Sequence, residues 1–571
     1  MESAQTGLQS AIVLQRRPRI RYLKKSANHS VHVTFMTCIA CAAPAHDRPK
    51  SADVGTTKVL ERNIGVTRLP GGAVDKKAMS NMPAKEEQWR RLYLGVRSKF
   101  LLALTIAIAW TALSVWLSQR WLVDLAEVTN WPFALIAIIF IAYVPGFMNA
   151  FLIATLSLDR RPMAHVSPSR EMPGLTVLVA AYNEAAGIRD TLTSLSRQDY
   201  QGPLEVFILN DGSSDDTAKI VREHLASLTL PDTALFTLHD FQVNRGKSAV
   251  LNDGLKAASH DLVVTIDGDC WVRSNGLTQI VSRYLSDPAN TVAVAGAVMV
   301  RNSRTNLLTR AQEWDYFHGI ASVKRMQGMY HGTLVAQGAF SLYRRDALEE
   351  VGGWPECVGE DIVVSWALLE RDYRIGYADN ALAFTNVPER IRQFALQRKR
   401  WSRGLMEAFK AHWRLLFKRR MTTLFIWWNV AFLPLDLVYS FIFIPGIVLA
   451  CFGYFYIAGP LTLAVLPLAA LWNVVIFRIQ RGVYRNENLK VRRNPMGFLF
   501  YALVYSLLMQ PVCVWGYIAE IIGMKKNGIR NEIHRHHALC RAWLSAVSSG
   551  RRTRYKRCRW SRIVVPTRRR H

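Results

Sequence analysis

The sequence predicts an α/β domain built on a parallel sheet, with apolar segments of membrane-span length on either side. Three observations carry this. Strand-like and helix-like patterns alternate from Leu175 to Ile266, the mark of βαβ units with right-handed crossovers. Uncharged apolar runs long enough to cross a bilayer flank that stretch. The third is Leu262-Val263-Val264-Thr265-Ile266-Asp267-Gly268-Asp269, a β-branched apolar run that ends in two carboxylates. Such a run reads as a strand buried on both faces, so Asp267 and Asp269 sit where it emerges. Gly268 lets the backbone approach a ligand. Two neighbouring carboxylates are costly unless a cation or a hydroxyl-rich ligand shares them. By itself the triplet is equally the pattern of a surface turn.

Composition narrows the class. Of 571 residues, 50% are hydrophobic, and Lys plus Arg outnumber Asp plus Glu by 72 to 43. Positive charge beside long apolar runs argues for a membrane protein under the positive-inside rule, and against a soluble nucleic-acid binder. The eight cysteines are scattered. Cys38 and Cys41 form one C-x-x-C without a second pair, so neither zinc nor a disulfide framework is expected.

Residues 1–97 are basic, polar and weakly periodic, and are expected to be disordered, with Met79 and Met82 as alternative starts. Residues 98–156 hold two spans, Phe100–Leu117 and Trp131–Leu156. Trp110, Trp116, Trp121 and Trp131 lie within or flank them, several at the depth of an aromatic belt. Gln119–Asn130 carries little positive charge and is assigned outside. The basic flanks Arg90–Lys99 and Arg160–Arg170 belong inside.

Residues 157–420 form the α/β unit. Thr176–Ala180, Leu204–Leu209, Leu235–Leu238 and Leu262–Ile266 read as strands. Ile188, Leu192 and Leu195 lie at helical spacing, and Thr217–Leu225 and Ser248–Ala258 read as helices. Ser213-Ser214-Asp215-Asp216 is expected to open the first of those two as a capping box. In parallel sheets ligands bind beyond the carboxyl ends of the strands. Asn183, Glu184, Asp211, Asp267 and Asp269 should therefore gather along one edge.

Residues 421–523 contain three more apolar runs, Leu424–Ala458, Leu461–Phe477 and Phe498–Gly523. The arginine-rich Arg478–Arg493 loop belongs inside, and so, by charge, does the basic and disordered tail 524–571. Three single crossings would put that tail outside. Either one run does not cross, with Phe498–Gly523 and its central Gln510-Pro511 a candidate, or Leu424–Ala458 divides differently. His534, His536, His537 and Cys540 in the tail are not expected to bind metal, and Cys270 is expected to be packing.

Two later motifs carry chemistry. Gly359-Glu360-Asp361 precedes the helix-like run Ile362–Glu370, placing Asp361 near a helix start, where a carboxylate is favoured in any case. In Gln397-Arg398-Lys399-Arg400-Trp401, helical spacing puts Gln397, Arg400 and Trp401 on one face. An amide, a guanidinium and an indole suit an anionic sugar nucleotide. Arg398, Lys399 and Arg403 are expected to point elsewhere, as part of a basic membrane-surface helix.

These motifs, with Ala181-Tyr182-Asn183-Glu184 and Asn210-Asp211-Gly212-Ser213, occur in the order seen in processive family 2 glycosyltransferases, which the chain resembles from roughly Phe100 to Gly523. These are the cellulose, chitin, hyaluronan and poly-N-acetylglucosamine synthases. Within the group the chain looks most like bacterial poly-β-1,6-N-acetylglucosamine synthases, on Glu360–Trp366, on Leu396–Trp401 and on the arrangement of two spans before and several after. Gly359 departs from the threonine of many members.

The resemblance implies a GT-A (Rossmann-like) cytoplasmic catalytic domain flanked by transmembrane helices, in a multi-pass protein of the bacterial inner membrane. It implies Tyr182, Glu184 and Asp211 at the uridine, Lys247 assisting at the nucleotide and Asp267 at the donor. Asp269 would ligate Mg²⁺ or Mn²⁺ bridging the diphosphate. Asp361 would be the general base, Gln397 and Arg400 would bind the diphosphate, and Trp401 the acceptor sugar. Gln337-Gly338-Ala339-Phe340 reads equally as acceptor lining and as a turn. The implied reaction is inverting, processive polymerisation of UDP-N-acetylglucosamine, or another UDP-sugar, into a β-linked biofilm exopolysaccharide coupled to export. Its partners would be the growing polysaccharide, the bilayer and a small membrane subunit, with no nucleic acid. Trp427, Trp428 and Tyr439 are expected along the export path. The rivals are a hyaluronan-, chitin- or cellulose-type synthase, a glycolipid glycosyltransferase, and a catalytically silent export scaffold.

Overall fold

The computed structural model describes residues 94–159 and 171–524. Cys38, Cys41, Met79, Met82, the Arg160–Arg170 flank, His534, His536, His537 and Cys540 lie outside the described residues.

Helices α1 (Val96–Val128) and α2 (Trp131–Ser157) come first. Asn130 separates them: its side chain accepts the Phe133 N–H at 2.9 Å, and Pro132 stands in the first turn of α2, both helix-start signals. Helix α1 therefore runs well past Leu117. Trp121 is wholly buried and its indole N–H donates to the Tyr456 carbonyl at 3.0 Å, so much of Gln119–Asn130 is helix and not a connecting loop.

The alternating half follows as β1 (Leu175–Ala181), α3 (Ile188–Ser196), β2 (Leu204–Asp211), α4 (Thr217–Ser227), β3 (Ala234–Phe241), α5 (Lys247–Ala257) and β4 (Leu262–Asp267). Strand β1 pairs in parallel with β2 and β4, and β2 with β3. Strands β1, β2 and β4 are buried almost throughout, as continuous β-branched runs in a helix-covered sheet should be. The capping box at α4 does not form. Asp216 occupies the cap position without a side-chain bond. Asp215 takes the Thr217 N–H instead, while Ser213 and Ser214 bond to Asn210 and Asn183. The Ser213 hydroxyl also accepts the Asn183 N–H at 2.9 Å and the Ser214 hydroxyl donates to Asn183 Oδ1 at 3.3 Å, which ties the ends of β1 and β2 together.

The second half contains β5 (Trp271–Val272), α6 (Gly276–Ser286), β6 (Thr291–Val300), α7 (residues 307–329), β7 (Phe340–Arg344), α8 (Arg345–Glu350), α9 (Glu360–Glu370) and β8 (Arg374–Thr385). The strand order is β3-β2-β1-β4-β7-β6-β8-β5. The sheet is mixed, not purely parallel: β7 runs antiparallel to β4 and β6, and β5 antiparallel to β8. Phe340, the first residue of β7, pairs with Ile266 near the carboxyl end of β4. The chain is thus delivered to the carboxyl edge before β7 begins, and β7 must run back. That reversal leaves the 337–339 loop at the same edge as Asp267.

The remaining helices are α10 (Ile391–His412), α11 (Thr422–Cys451), α12 (Pro460–Asn486) and α13 (Pro495–Ile521). Among the described residues, α1, α2, α11 and α13 are long and apolar enough to cross a membrane. The Leu424–Ala458 run divides after Cys451, and about half of the expected Arg478–Arg493 loop is the end of α12.

Helix α13 lies along α10. Phe394 and Tyr505 rings are 5.4 Å apart, and Lys399 Nζ stands 3.7 Å over the Trp515 ring. Gly516 permits the approach, because a Cβ there would meet the Lys399 carbonyl oxygen at 2.7 Å. Glu520 pairs with Arg403 at 3.1 Å and with Lys410 at 2.8 Å. Arg403 is therefore buried in an ion pair and does not face a membrane surface.

One core joins the sheet to the apolar helices: Ala107, Phe151 and Phe425 pack in the same cluster as Leu178, Val263 and Trp366. Of the aromatics expected along a path, Trp428 and Tyr439 are buried. Trp427 is half-exposed and donates its indole N–H to the Leu416 carbonyl at 3.0 Å. That is the posture of an interfacial anchor.

Candidate active site

The loops after β1 and β2 form one side of the site. Asn183 has a φ of 54°, a left-handed conformation that asparagine tolerates. Its side-chain carbonyl oxygen accepts the Ser214 N–H at 2.8 Å, and the next N–H, of Glu184, donates to Thr217 Oγ1 at 2.8 Å. Tyr182 follows β1 directly. Gly268 sits beneath Glu184: a Cβ there would lie 3.0 Å from Glu184 Cγ and 3.1 Å from the Ala180 carbonyl oxygen. Glycine therefore brings Glu184 against the Asp267-Asp269 turn. Asp211 is buried and accepts the N–H groups of Arg245 and Gly246 at 2.7 and 2.9 Å. Those bonds hold the turn that precedes Lys247, the first residue of α5.

Lys247 links two groups of acids. Its ammonium lies 2.5 Å from Asp267 Oδ1 and 3.4 Å from Glu360 Oε1. Burial alone would lower its pKa, but the Asp267 and Glu360 carboxylates outweigh burial and hold it above the ordinary lysine value. Burial raises the Glu360 carboxyl, against the pull of Lys247. Asp361 follows it in the first turn of α9, where its carboxylate accepts the Ile362 N–H at 2.8 Å and the Gly338 N–H at 3.4 Å. Gly338 is packed against Lys247, since a Cβ would meet Nζ at 2.6 Å. The 337–339 loop is thus part of the site.

The donor set at the end of β4 fits a hard divalent cation. One carboxylate oxygen each from Asp267 and Asp269 and the Cys270 sulfur lie within 4.8 Å of one another. Burial, with the adjacent Asp269 and Asp267 charges, pushes the Cys270 thiol well above its ordinary value. The two carboxylates supply the oxygen donors that Mg²⁺ and Mn²⁺ prefer over sulfur. The Thr385 hydroxyl donates to Asp269 Oδ2 at 3.3 Å.

Helix α10 is pressed onto this site at a glycine pair. A Cβ on Gly359 would stand 2.4 Å from Gly404 Cα, and one on Gly404 2.7 Å from Gly359 Cα. Glu407 accepts the Val358 and Gly359 N–H groups at 2.9 Å each. The glycine at 359, read as a departure from threonine, is required by this contact. Gly404→Ala is expected to destabilise the fold by about 1–3 kcal/mol through overpacking. It should also lower transfer, because α10 must move away from Asp361. Unchanged thermal unfolding and unchanged turnover in that variant would contradict the packing argument.

Arg400 is exposed and within electrostatic reach of Glu360. Gln397 turns its buried carbonyl oxygen where no described residue bonds it. Trp401 packs with Val300, Tyr316 and Val387, and Tyr316 lies within electrostatic reach of Asp269. Arg398 does not face lipid: it is 1% exposed and paired with Asp315. Sequence reasoning missed Glu360 as a partner of Lys247, and it missed Thr385 and Tyr316. Glu360 stood inside a motif that drew attention to Asp361 alone. Thr385 and Tyr316 carry no local signal.

The description "Glycosyl transferase family 2" belongs to a family model that matches residues 176–352. Over 277 residues the chain is 33% identical to a poly-beta-1,6-N-acetyl-D-glucosamine synthase of Staphylococcus aureus (strain COL), covering 46% of this chain and 64% of that protein. The chain thus spans just under two thirds of that relative's length. Over 296 residues it is 31% identical to a protein of the same name from Staphylococcus epidermidis, covering 50% of this chain and 70% of that protein. A solved mannosyltransferase from Pyrobaculum calidifontis, in complex with GDP-Man and Mn²⁺, is 21% identical with a TM-score of 0.47, covering 68% of this chain and 99% of that one.

Proposed function

The chain belongs to glycosyl transferase family 2, and from that premise we propose that it polymerises N-acetylglucosamine from UDP-N-acetylglucosamine into a β-linked polysaccharide at a bacterial inner membrane. One observation carries the reading. Asp361, Lys247 and the Asp267-Asp269 pair converge on one sheet edge, against the helix that carries Gln397, Arg400 and Trp401.

Tyr182, Glu184 and Asp211 border the nucleotide. Asp267, Gln397 and Arg400 orient the donor. Asp361 accepts the proton of the acceptor hydroxyl as that oxygen attacks the anomeric carbon, and the bond to the diphosphate breaks with UDP leaving. A single displacement inverts an α-linked donor into a β-linkage. Bound at Asp269, Mg²⁺ or Mn²⁺ would neutralise charge on the leaving diphosphate. Lys247 adds a fixed positive charge between donor and base. Trp401 stacks on the acceptor sugar.

Membrane placement follows the helices. Asn494 Nδ2, just before α13, donates to the Arg310 carbonyl at 2.9 Å, and Glu520 near its end binds Arg403 of α10. Both ends of α13 are thus tied to the catalytic side. The apolar helices, which share the catalytic core, are assigned to export of the product.

The test uses sealed vesicles containing the protein and any small membrane subunit it requires, with labelled UDP-N-acetylglucosamine on the catalytic face. Polymer protected from added glycosidase is expected. Polymer formed only from another UDP-sugar would overturn the substrate assignment. Polymer found only on the donor side would overturn export.

A further inference from the structure

A buried charge stands directly beside Trp401. Arg398 is 1% exposed and pairs with the wholly buried Asp315, Nη2 to Oδ2, at 2.8 Å. The same Asp315 oxygen accepts the hydroxyl of Tyr505, on α13, at 2.8 Å. The guanidinium carbon lies 4.0 Å from the centroid of the Trp401 ring and 5.2 Å from that of Phe394. Asp315 also begins a π-helical step, Asp315–Ile320, inside α7. Such steps re-aim side chains and recur at functional sites. Three helices, α7, α10 and α13, therefore contribute to one contact on the indole.

The physical logic is specific to arginine. A guanidinium withdrawn from water is costly and persists only when a carboxylate faces it. Asp315 faces it as an ion pair at 2.8 Å, without a directed hydrogen bond to the guanidinium nitrogens, and is itself steadied by the Tyr505 hydroxyl. A planar guanidinium can also lie flat against an aromatic face, where an ammonium such as that of Lys399 over Trp515 makes only a point contact. With Arg398 over the ring and Val300, Tyr316 and Val387 packed around it, the half-buried indole is held in one attitude.

We propose that Arg398 is a positioning residue. Anchored by Asp315 and Tyr505, it fixes the attitude of the Trp401 indole toward the acceptor sugar and so sets how many transfers occur before the product is released. This rests on the reading of Trp401 as the acceptor platform. Helix α13 takes part as well, because Tyr505 ties it to the acceptor end of the site.

The test compares Trp401→Ala, Arg398→Lys, Tyr505→Phe and the Trp401→Ala/Arg398→Lys double variant, all in the full chain in vesicles. Product length, initial UDP release and UDP affinity are measured for each. Trp401→Ala is expected to shorten the product with UDP affinity kept. Arg398→Lys keeps the charge but not the plane, and should shorten the product by on the order of tenfold, again with UDP affinity kept. Tyr505→Phe, which removes one hydroxyl, should act in the same sense to a smaller degree. In the Trp401→Ala background, Arg398→Lys should add nothing, because its effect passes through the indole.

Wild-type product length in Arg398→Lys and Tyr505→Phe, where Trp401→Ala shortens it, would overturn the positioning role alone. So would additive losses in the double variant, or a parallel loss of UDP affinity in the single variants. Full-length product from Trp401→Ala would overturn the acceptor reading and this proposal with it. If Arg398→Lys does not fold, Tyr505→Phe carries the comparison.

Discussion

Asp361→Asn is expected to lower turnover by on the order of 10²-fold or more, the contribution of a general base, while UDP still binds. The substitution is close to isosteric, and an amide oxygen can still accept the Ile362 N–H that Asp361 accepts at 2.8 Å. What the amide cannot do is take up the acceptor's proton. Asp361 stands at the helix start next to Glu360, whose carboxyl burial raises and Lys247 opposes. A neighbouring acid could therefore substitute, and Glu360→Gln provides the control. It should cost less than Asp361→Asn, because Glu360 reaches the site through Lys247 at 3.4 Å. UDP release measures turnover, and calorimetry measures UDP affinity. An Asn variant retaining more than roughly a tenth of the rate would exclude Asp361 as a base of that strength.

Removing the Asp269 carboxylate should have an effect of similar or greater size. Lewis-acid neutralisation of a leaving group is worth several kcal/mol, and about 1.4 kcal/mol is tenfold in rate. Asp269→Ala and chelation of the wild type are each expected to reduce transfer by on the order of 10³-fold, and together no further. The fold should survive, because Asp269 lies beyond the end of its strand. Asp269→Asn keeps an acceptor for Thr385 and separates loss of ligation from loss of packing. Mn²⁺ binding followed by electron paramagnetic resonance gives a readout apart from turnover. Full activity in excess chelator, or unaltered Mn²⁺ affinity in Asp269→Ala, would sink the assignment.

The sequence alone was enough for the alternating half of the domain and for the acids that gather at the carboxyl ends of its strands. Strand, acid and glycine are adjacent in Leu262–Asp269, and the loops after β1 and β2 repeat that pattern, so local periodicity carries the information. The same holds for the apolar helices, whose length and composition are local properties. Tertiary structure decided the rest. The reversal of β7 depends on which sheet edge the chain reaches after α7, and that reversal puts Gly338 beside Lys247 and Asp361. Gly359 and Gly404 lie 45 residues apart, and only their contact explains why neither carries a side chain. Thr385 bonds to Asp269 across 116 residues of chain. Arg398 is the sharpest case. Helical spacing assumes one buried face, and on that assumption a residue off that face meets solvent or lipid. Helix α10 is instead enclosed by α7 and α13 on further faces, so Arg398 is buried against a carboxylate 83 residues away. Periodicity reports which residues share a face; it does not report what stands opposite, because that is set by packing between segments distant in the chain.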